Sequence, residues 1–290
     1  MAETAVTLRR LVDSRSALLV PGAYDALSAR VIADIGFQAL YVSGAGITNG
    51  LLGMPDMGFI SLSQLAQQVS LIRDAVELPL IVDADTGFGN AVNVHYTART
   101  LARAGADALQ IEDQISPKRC GHFAGKGVIA ADEMVQKIRA AKDAVAGDGV
   151  LIVARTDAYA VEGMNGALDR ANAFIEAGAD MTFVEAPRTA EDIGRILSSL
   201  SVPQVVNMVI GGVTPAVGLD DLRRMKAGVV LYANAALQGA VLGMQRALTA
   251  LRDAGTVSED SQLVASFAER QRLVRKPEID RMERTYSGGD

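Results

Sequence analysis

Eight short aliphatic runs recur along the chain, at 17–20, 39–43, 78–83, 108–112, 150–155, 181–185, 203–208 and 229–233, separated by longer stretches of helical character. Runs such as Leu151-Ile152-Val153-Ala154 are apolar at every position, not at alternate ones. A strand of that kind is buried on both faces, the condition of a parallel sheet covered by crossover helices. Eight strand-then-helix units predict an α/β fold of the (β/α)8 (TIM) barrel type. We expect the barrel to occupy residues 1–254, followed by a charged helical extension over 255–290. The 290 residues, 49% of them hydrophobic, suffice for one such core, since a chain of this size buries ~75% of the surface it exposes when unfolded. The single cysteine, Cys120, cannot close an intrachain disulfide.

The helices between the runs are legible too. The stretches 91–104 and 167–177 are Ala-rich and stop at Gly105 and Gly178, where a helix-terminating glycine is expected. Ala-Gly-Ala-Asp stands at both places, at 104–107 and again at 177–180. Seven residues after Gly36, Gly105 and Gly178 come Ser43, Glu112 and Glu185. Each of these polar residues then falls at the C-terminal end of its strand, the rim on which barrel enzymes build their sites. Similar units also resemble one another for folding reasons alone, but a core would have put apolar side chains at those positions.

The richest rim segment is Asp83-Ala84-Asp85-Thr86-Gly87-Phe88-Gly89-Asn90, joined by Glu112-Asp113-Gln114 and by Asp56. With strands three and four adjacent, Asp83 and Glu112 meet at one rim, and like charges there repel unless a cation or a shared proton compensates. A hard divalent ion is the economical answer, because Mg²⁺ takes one or two carboxylates directly and keeps waters that other carboxylates hold. Gly87 and Gly89 supply only half of a dinucleotide fingerprint. Ser43-Gly44-Ala45-Gly46 can present successive backbone N–H groups to one anion, or form an ordinary turn into a helix. Lys118-Arg119-Cys120-Gly121-His122 places two cations beside a thiol and an imidazole, the setting of an activated thiol on a loop above the barrel mouth. Arg155 offers a planar fork to a carboxylate, whether that of a ligand or of a neighbour such as Asp157 or Glu185. Glu185 and Asn207 end strands six and seven.

With 28 Lys and Arg against 34 Asp and Glu, the formal net charge is −6. No basic run is present, so nucleic acid and anionic membranes are not expected partners. The apolar stretch 227–244 contains Asn234 and Gln238 and falls short of the ~20 residues a spanning helix needs. The first residues carry no apolar signal region, and a cytoplasmic location is expected.

Together, the acidic segment at 83–90, Glu112-Asp113-Gln114, Lys118-Arg119-Cys120-Gly121-His122 and Ala154-Arg155-Thr156-Asp157-Ala158 resemble the isocitrate lyase/phosphoenolpyruvate mutase superfamily over about 8–244. The Lys-Arg-Cys-Gly-His segment is most similar to the methylisocitrate lyase and 2,3-dimethylmalate lyase branch. The resemblance implies a Mg²⁺-dependent enzyme, with Mn²⁺ as a substitute, that cleaves a 2-hydroxy di- or tricarboxylate to a 2-oxo acid and a saturated acid. It implies direct metal contact by Asp83, with Asp56, Asp85 and Glu112 acting largely through water. Ser43, Gly44 and Ala45 would hold the 2-oxo-acid carboxylate, Arg155 would pair with a substrate carboxylate, and Tyr41 would lie near the reacting hydroxyl. Cys120 is implied as the proton donor, with Lys118, Gly121 and His122 around it, and Glu185 and Asn207 at the other end of the substrate. A homotetramer, a dimer of dimers exchanging the last helical segment, is implied as well. One position departs from the pattern: Ile210 precedes Gly211-Gly212 where related lyases carry an acidic residue, which favours a less polar substrate group there. The alternatives are an oxaloacetate hydrolase or decarboxylase on the same scaffold, and a non-catalytic dicarboxylate binder, against which the presence of Cys120 and Lys118 speaks.

Overall fold

The computed structural model describes residues 3–119 and 125–287. Its eight strands are β1 (Leu18–Ala23), β2 (Leu40–Val42), β3 (Leu80–Asp83), β4 (Ala108–Glu112), β5 (Leu151–Thr156), β6 (Met181–Val184), β7 (Val205–Asn207) and β8 (Val229–Tyr232). Each lies on one of the eight runs read from the sequence, with ends shifted by a few residues. All pairings are parallel, in the order β6-β5-β4-β3-β2-β1-β8-β7. Between β6 and β7 the cylinder closes through a single parallel bridge, Thr182 to Gln204. At the β1/β8 seam Gly22 is required: a Cβ there would stand 1.9 Å from the carbonyl oxygen of Ala233.

Inside the cylinder Leu18, Val20, Ile81, Val153, Phe183 and Leu231 pack on one another. The helix Glu3–Asp13 plugs the bottom with Leu8 and Val12, an element for which the sequence reading had no expectation. The helix-ending glycines behave as expected, with Gly36, Gly105 and Gly178 at φ of 95°, 108° and 105°. The helix before Gly178 is longer than expected, spanning Tyr159–Glu176.

The Ala-Gly-Ala-Asp repeat also has a folding cause. Asp107 accepts from the Leu80 backbone N–H at 2.9 Å, and Asp180 from that of Ile152 at 2.8 Å, so each pins the start of the neighbouring strand. Thr4 and Arg73 also reach Asp107, and Arg9 and Lys142 reach Asp180, which fastens the plug helix to the barrel floor.

The helix Ala235–Ala254 follows β8 but buries none of its residues. Val241, Leu242, Met244, Leu248 and Leu251 are exposed along it. Beside it, a cavity of about 300 Å³ opens on the outer wall of the barrel, lined by Leu19, Pro21, Phe37, Val217, Leu219 and Val230 among others. The tail continues with helices Phe267–Leu273 and Lys276–Tyr286, and Arg272 grips Asp34 with both terminal nitrogens at 2.6 Å. Among the described residues no helix is long and apolar enough to cross a membrane.

Burial pushes the Asp180 carboxyl up, but hydrogen bonds from Lys142, the Ile152 N–H and Arg9 outweigh it and hold the group below the usual range. A depressed folded-state pKa contributes stability above the unfolded value of about 3.9, and that stability is lost as pH falls through the folded one. The urea midpoints of the wild type and Asp180→Asn should therefore differ most near pH 7, and the gap should narrow as pH falls below about 4. A gap that does not narrow would mean that the charge of Asp180 is not what stabilises the floor.

Candidate active site

The strand ends converge at the top of the cylinder, and the side chains that meet there are charged and buried. Asp83 is the last residue of β3. The chain then turns through Asp85 (φ 48°), Gly87 (φ 87°), Phe88 (φ 59°) and Gly89 (φ 143°), which sets the second carboxylate beside the first. Asp tolerates the left-handed region better than most residues. The Asp85 backbone N–H donates to Asp83 Oδ1 at 3.1 Å, and Gln110 Nε2 donates to the same oxygen at 3.2 Å. Tyr41 in turn donates its hydroxyl to Gln110 Oε1 at 2.7 Å. Oδ1 of Asp83 is thus held by a relay from within the barrel, and no hydrogen bond engages Oδ2 among the described residues. Gly44 leaves the space above Asp83 open, since a Cβ there would come 3.1 Å from Oδ2 and 3.4 Å from Asp85 Oδ1.

Lys118 delivers a buried ammonium to this cluster, 2.7 Å from Asp56 Oδ1 and 2.7 Å from Asp85 Oδ1. Burial works to lower its pKa, but the charges of Asp85, Asp83, Glu112 and Asp56 outweigh it and hold the ammonium well above the usual lysine range. Burial raises Asp85 to about 6, with Lys118 opposing and Asp83 adding to the rise. Glu112, at the end of β4, is pushed well above the usual carboxylate range, again chiefly by burial, against the pull of Arg155 and Lys118. Among the described residues neither of its oxygens accepts a hydrogen bond, although Oε2 lies 3.3 Å from Arg155 Nη1.

Arg155, on β5, is the second cation. Its Nε and Nη2 hold Asp157 at 3.0 and 3.3 Å, Glu185 Oε2 lies 3.7 Å from Nε, and the guanidinium carbon stands 5.1 Å from the centre of the Phe183 ring. The pairing with strand-end acids read as one of two options in the sequence is therefore formed, and the same fork faces the mouth. Asn207 Nδ2 reaches both oxygens of Glu185 at 3.4 Å.

The structure brings Asp56, Asp83, Asp85, Glu112 and Lys118 into one group and Arg155, Glu185 and Asn207 into an adjoining one. Ser43 does not head an open loop: its hydroxyl caps the short helix Gly44–Ile47 by accepting from Gly46 N at 3.0 Å, and donates to Asn234 at 3.3 Å. As the first helical residues, Gly44 and Ala45 have N–H groups without intrahelical acceptors. Tyr41 is committed to Gln110 and acts on the acidic group through it. Cys120, Gly121 and His122 lie outside the described residues. Asp113 stands apart as a strut between β4 and β5, bound to Thr156 Oγ1 at 2.7 Å and to the Asp157 N–H at 2.9 Å.

Two residues escaped the sequence reading. Gln110 had a signal, a polar side chain two residues before Glu112 on the same strand face. Lys126, whose ammonium reaches Asp157 at 2.8 Å, had none, being one polar residue in a polar loop.

No three His, Cys, Asp or Glu side chains among the described residues close into a full ligand shell. The donor set nevertheless suits a hard cation that keeps most of its waters, because such an ion needs one or two carboxylates in direct contact. Asp83 Oδ2 is open beneath the cradle left by Gly44, and Glu112 presents buried oxygens without hydrogen-bond donors. The residues present fit a divalent metal of the Mg²⁺ type.

Known proteins share this fold and family. The phosphoenolpyruvate phosphomutase family model matches residues 8–252. A 2,3-dimethylmalate lyase of Eubacterium barkeri is 37% identical over 286 residues, 99% of each chain. A 2-methylisocitrate lyase of Aeropyrum pernix is 43% identical over 251 residues, covering 87% of this chain and 80% of that protein. An oxaloacetate acetylhydrolase, solved in complex with the inhibitor 3,3-difluorooxalacetate, superposes with a TM-score of 0.91 at 32% identity, over 99% of this chain and 98% of its own.

Removing the cation that faces Glu112, Asp157 and Glu185 leaves buried carboxylates short of compensation. Arg155→Met is therefore expected to cost about 3–5 kcal/mol in urea unfolding of the metal-free protein, the range for breaking a buried ion pair from one side. A loss below about 1 kcal/mol would place Arg155 among solvent-screened pairs instead.

Proposed function

The chain belongs to the phosphoenolpyruvate mutase/isocitrate lyase superfamily, and from that premise we propose that it is a Mg²⁺-dependent carbon–carbon lyase acting on a 2-hydroxy dicarboxylate. The observation that carries the reading is the pairing, in one barrel mouth, of an acidic group open at Asp83 with the guanidinium of Arg155. Bound Mg²⁺ supplies a lowered pKa for the substrate's 2-hydroxyl and a fixed position for its neighbouring carboxylate. In this reading Asp83 holds the ion directly, and Asp56, Asp85 and Glu112 hold its waters. Tyr41 and Gln110 fix the orientation of Asp83, while Lys118 keeps the acidic group from repelling the anionic substrate.

The reaction breaks the bond between C2 and C3. The hydroxyl proton leaves to a carboxylate of the acidic group, and C2 becomes the carbonyl of a 2-oxo acid. The bonding pair passes into the distal carboxylate, where charge develops in the transition state and Arg155 is the available donor, while Ser43 and the Gly44 and Ala45 N–H groups hold the carboxylate of the 2-oxo acid. The thiol of Cys120 then gives its proton to C3, releasing the saturated acid; Gly121 and His122 belong to the same segment.

The substituent end is the uncharged side of the mouth. A cavity of about 180 Å³ is lined by Asn49, Met208, Val209, Ile210, Asn234 and Gln238 among others, with no ionisable side chain. A carboxylate buried there unpaired is strongly disfavoured, whereas an alkyl group is accepted. We therefore place 2,3-dimethylmalate ahead of 2-methylisocitrate as the substrate type.

Assayed against a panel of 2-hydroxy acids, the enzyme should release pyruvate from 2,3-dimethylmalate, and EDTA should abolish the release. Cys120→Ser is expected to lower kcat by about 10²-fold or more, the scale of a lost general acid. Turnover of oxaloacetate alone, to oxalate and acetate, would replace the lyase reading with the hydrolase one.

The sequence reading had the extension 255–290 exchanged; the exposed apolar face of helix Ala235–Ala254 and the apolar cavity on the barrel wall beside it favour a reciprocal exchange that begins at this helix, within a homotetramer. Leu248→Glu, on this face, should shift the light-scattering mass to a smaller species. An unchanged mass would leave the helix solvated.

A further inference from the structure

Both flanks of the cysteine-bearing segment end in a buried lysine. Lys118 enters the acidic group, whereas Lys126 turns the other way. Its Nζ lies 2.8 Å from Asp157 Oδ1, and the side chains of the two residues are 3% and 0% exposed. Arg155 uses the same carboxylate, with Nη2 at 3.3 Å from Oδ1 and Nε at 3.0 Å from Oδ2. Asp157 is thus a buried anion shared by two cations.

The backbone on either side is fixed. The Asp157 N–H is tied to Asp113 at 2.9 Å. The strand-like stem that carries Lys126 is zipped to the end of β4 by Ile115 N to Gly127 O and Ile129 N to Asp113 O, both at 2.9 Å. Lys126 therefore works as a staple from the stem after β4 to the end of β5. Sharing has an electrostatic consequence. With Lys126 neutralising part of Asp157, the guanidinium of Arg155 keeps charge to offer to Glu112, Glu185 and a ligand in the mouth. Without it, Arg155 is the sole counter-charge of a buried carboxylate and is drawn toward it, because an uncompensated charge in a low-dielectric site costs several kcal/mol.

We propose that Lys126 is a positioning residue that frees Arg155 for the substrate carboxylate by sharing Asp157 with it. This rests on the reading of Arg155 as the cation that meets substrate. It predicts a selective loss: anion binding suffers, and metal binding, seated on the opposite group of acids, does not.

The probes are oxalate, titrated calorimetrically in the presence of Mg²⁺, and Mn²⁺ alone, followed by electron paramagnetic resonance. In Lys126→Met, oxalate should bind about tenfold more weakly, in line with the 10–100-fold effects of residues that orient a ligating group. The Mn²⁺ dissociation constant should stay within about threefold of wild type. KM for 2,3-dimethylmalate should rise more than kcat falls, and Lys126→Arg should restore both oxalate affinity and KM. Should Lys126→Met fail to fold, Lys126→Gln keeps a donor to Asp157 without the charge and is read in the same way. Unchanged oxalate affinity, or a parallel loss of Mn²⁺, would overturn the proposal. A wild type that binds oxalate in a Lys126-dependent manner but does not cleave 2,3-dimethylmalate would leave the positioning role standing while the lyase reading falls.

Discussion

Compensation of buried negative charge governs the upper half of this barrel. Asp56, Asp83, Asp85, Glu112, Asp157 and Glu185 crowd one mouth, and burial holds Asp85 and Glu112 above the usual carboxylate range. The compensating cations come from different places in the chain: Arg155 from a strand, Lys118 and Lys126 from the flanks of one loop. Loop and barrel are therefore bound by charge as well as by backbone.

The floor of the barrel solves a smaller version of the same problem with more redundancy. Asp107 and Asp180 each accept a strand N–H and at least one charged donor, so the anion caps backbone and ion-pairs at once. No acid at the floor waits for an external partner. At the mouth, among the described residues, Asp83 Oδ2 has no donor, and Glu112 has a guanidinium 3.3 Å away without a hydrogen bond. Incomplete satisfaction of buried polar groups is costly in a pure scaffold and is expected where a ligand completes the set. That contrast between two ends of one cylinder marks the mouth more sharply than cavities do, for a crevice of about 460 Å³ lies away from it, between Arg30, Asp34 and the tail helices.

Much of this was legible in the sequence because the fold repeats. Each unit carries an apolar strand and a glycine that ends a helix, so the position seven residues after Gly36, Gly105 or Gly178 could be placed at the rim before any contact was known. Ser43, Glu112 and Glu185 were found in that way, and the acidic pair at Asp83 and Asp85 by its density of charge. Partnership between distant residues was not legible. That Lys118 would enter the acidic group, or that Tyr41 would reach Asp83 through Gln110, depends on how loops fold back and on which rotamers the barrel interior permits. Lys126 shows the limit most clearly, since a lysine in a polar loop has the same local sequence whether it is solvated or locked on a buried aspartate. The helix Ala235–Ala254 is a different case. Its length was hidden in an apolar stretch, and its lack of buried residues belongs to the tertiary arrangement alone.

The position of Lys118 bears on how a cation of higher charge can enter the same site. An ammonium 2.7 Å from Asp56 and Asp85 occupies the side of the acidic group away from the Gln110 relay, which engages only Oδ1 of Asp83. The open oxygen, Oδ2, faces the space that Gly44 leaves unfilled. On the proposed function, a divalent ion would settle against Asp83 with Lys118 in place and most of its shell still water. Two cations near one another repel, and on that reading the carboxylates of Asp56, Asp83, Asp85 and Glu112 would make the repulsion tolerable. Stripping any one acid would then shift that balance toward expulsion of the ion, the more mobile of the two charges, so that on the proposed function the protein's own lysine sets how many acids the site requires.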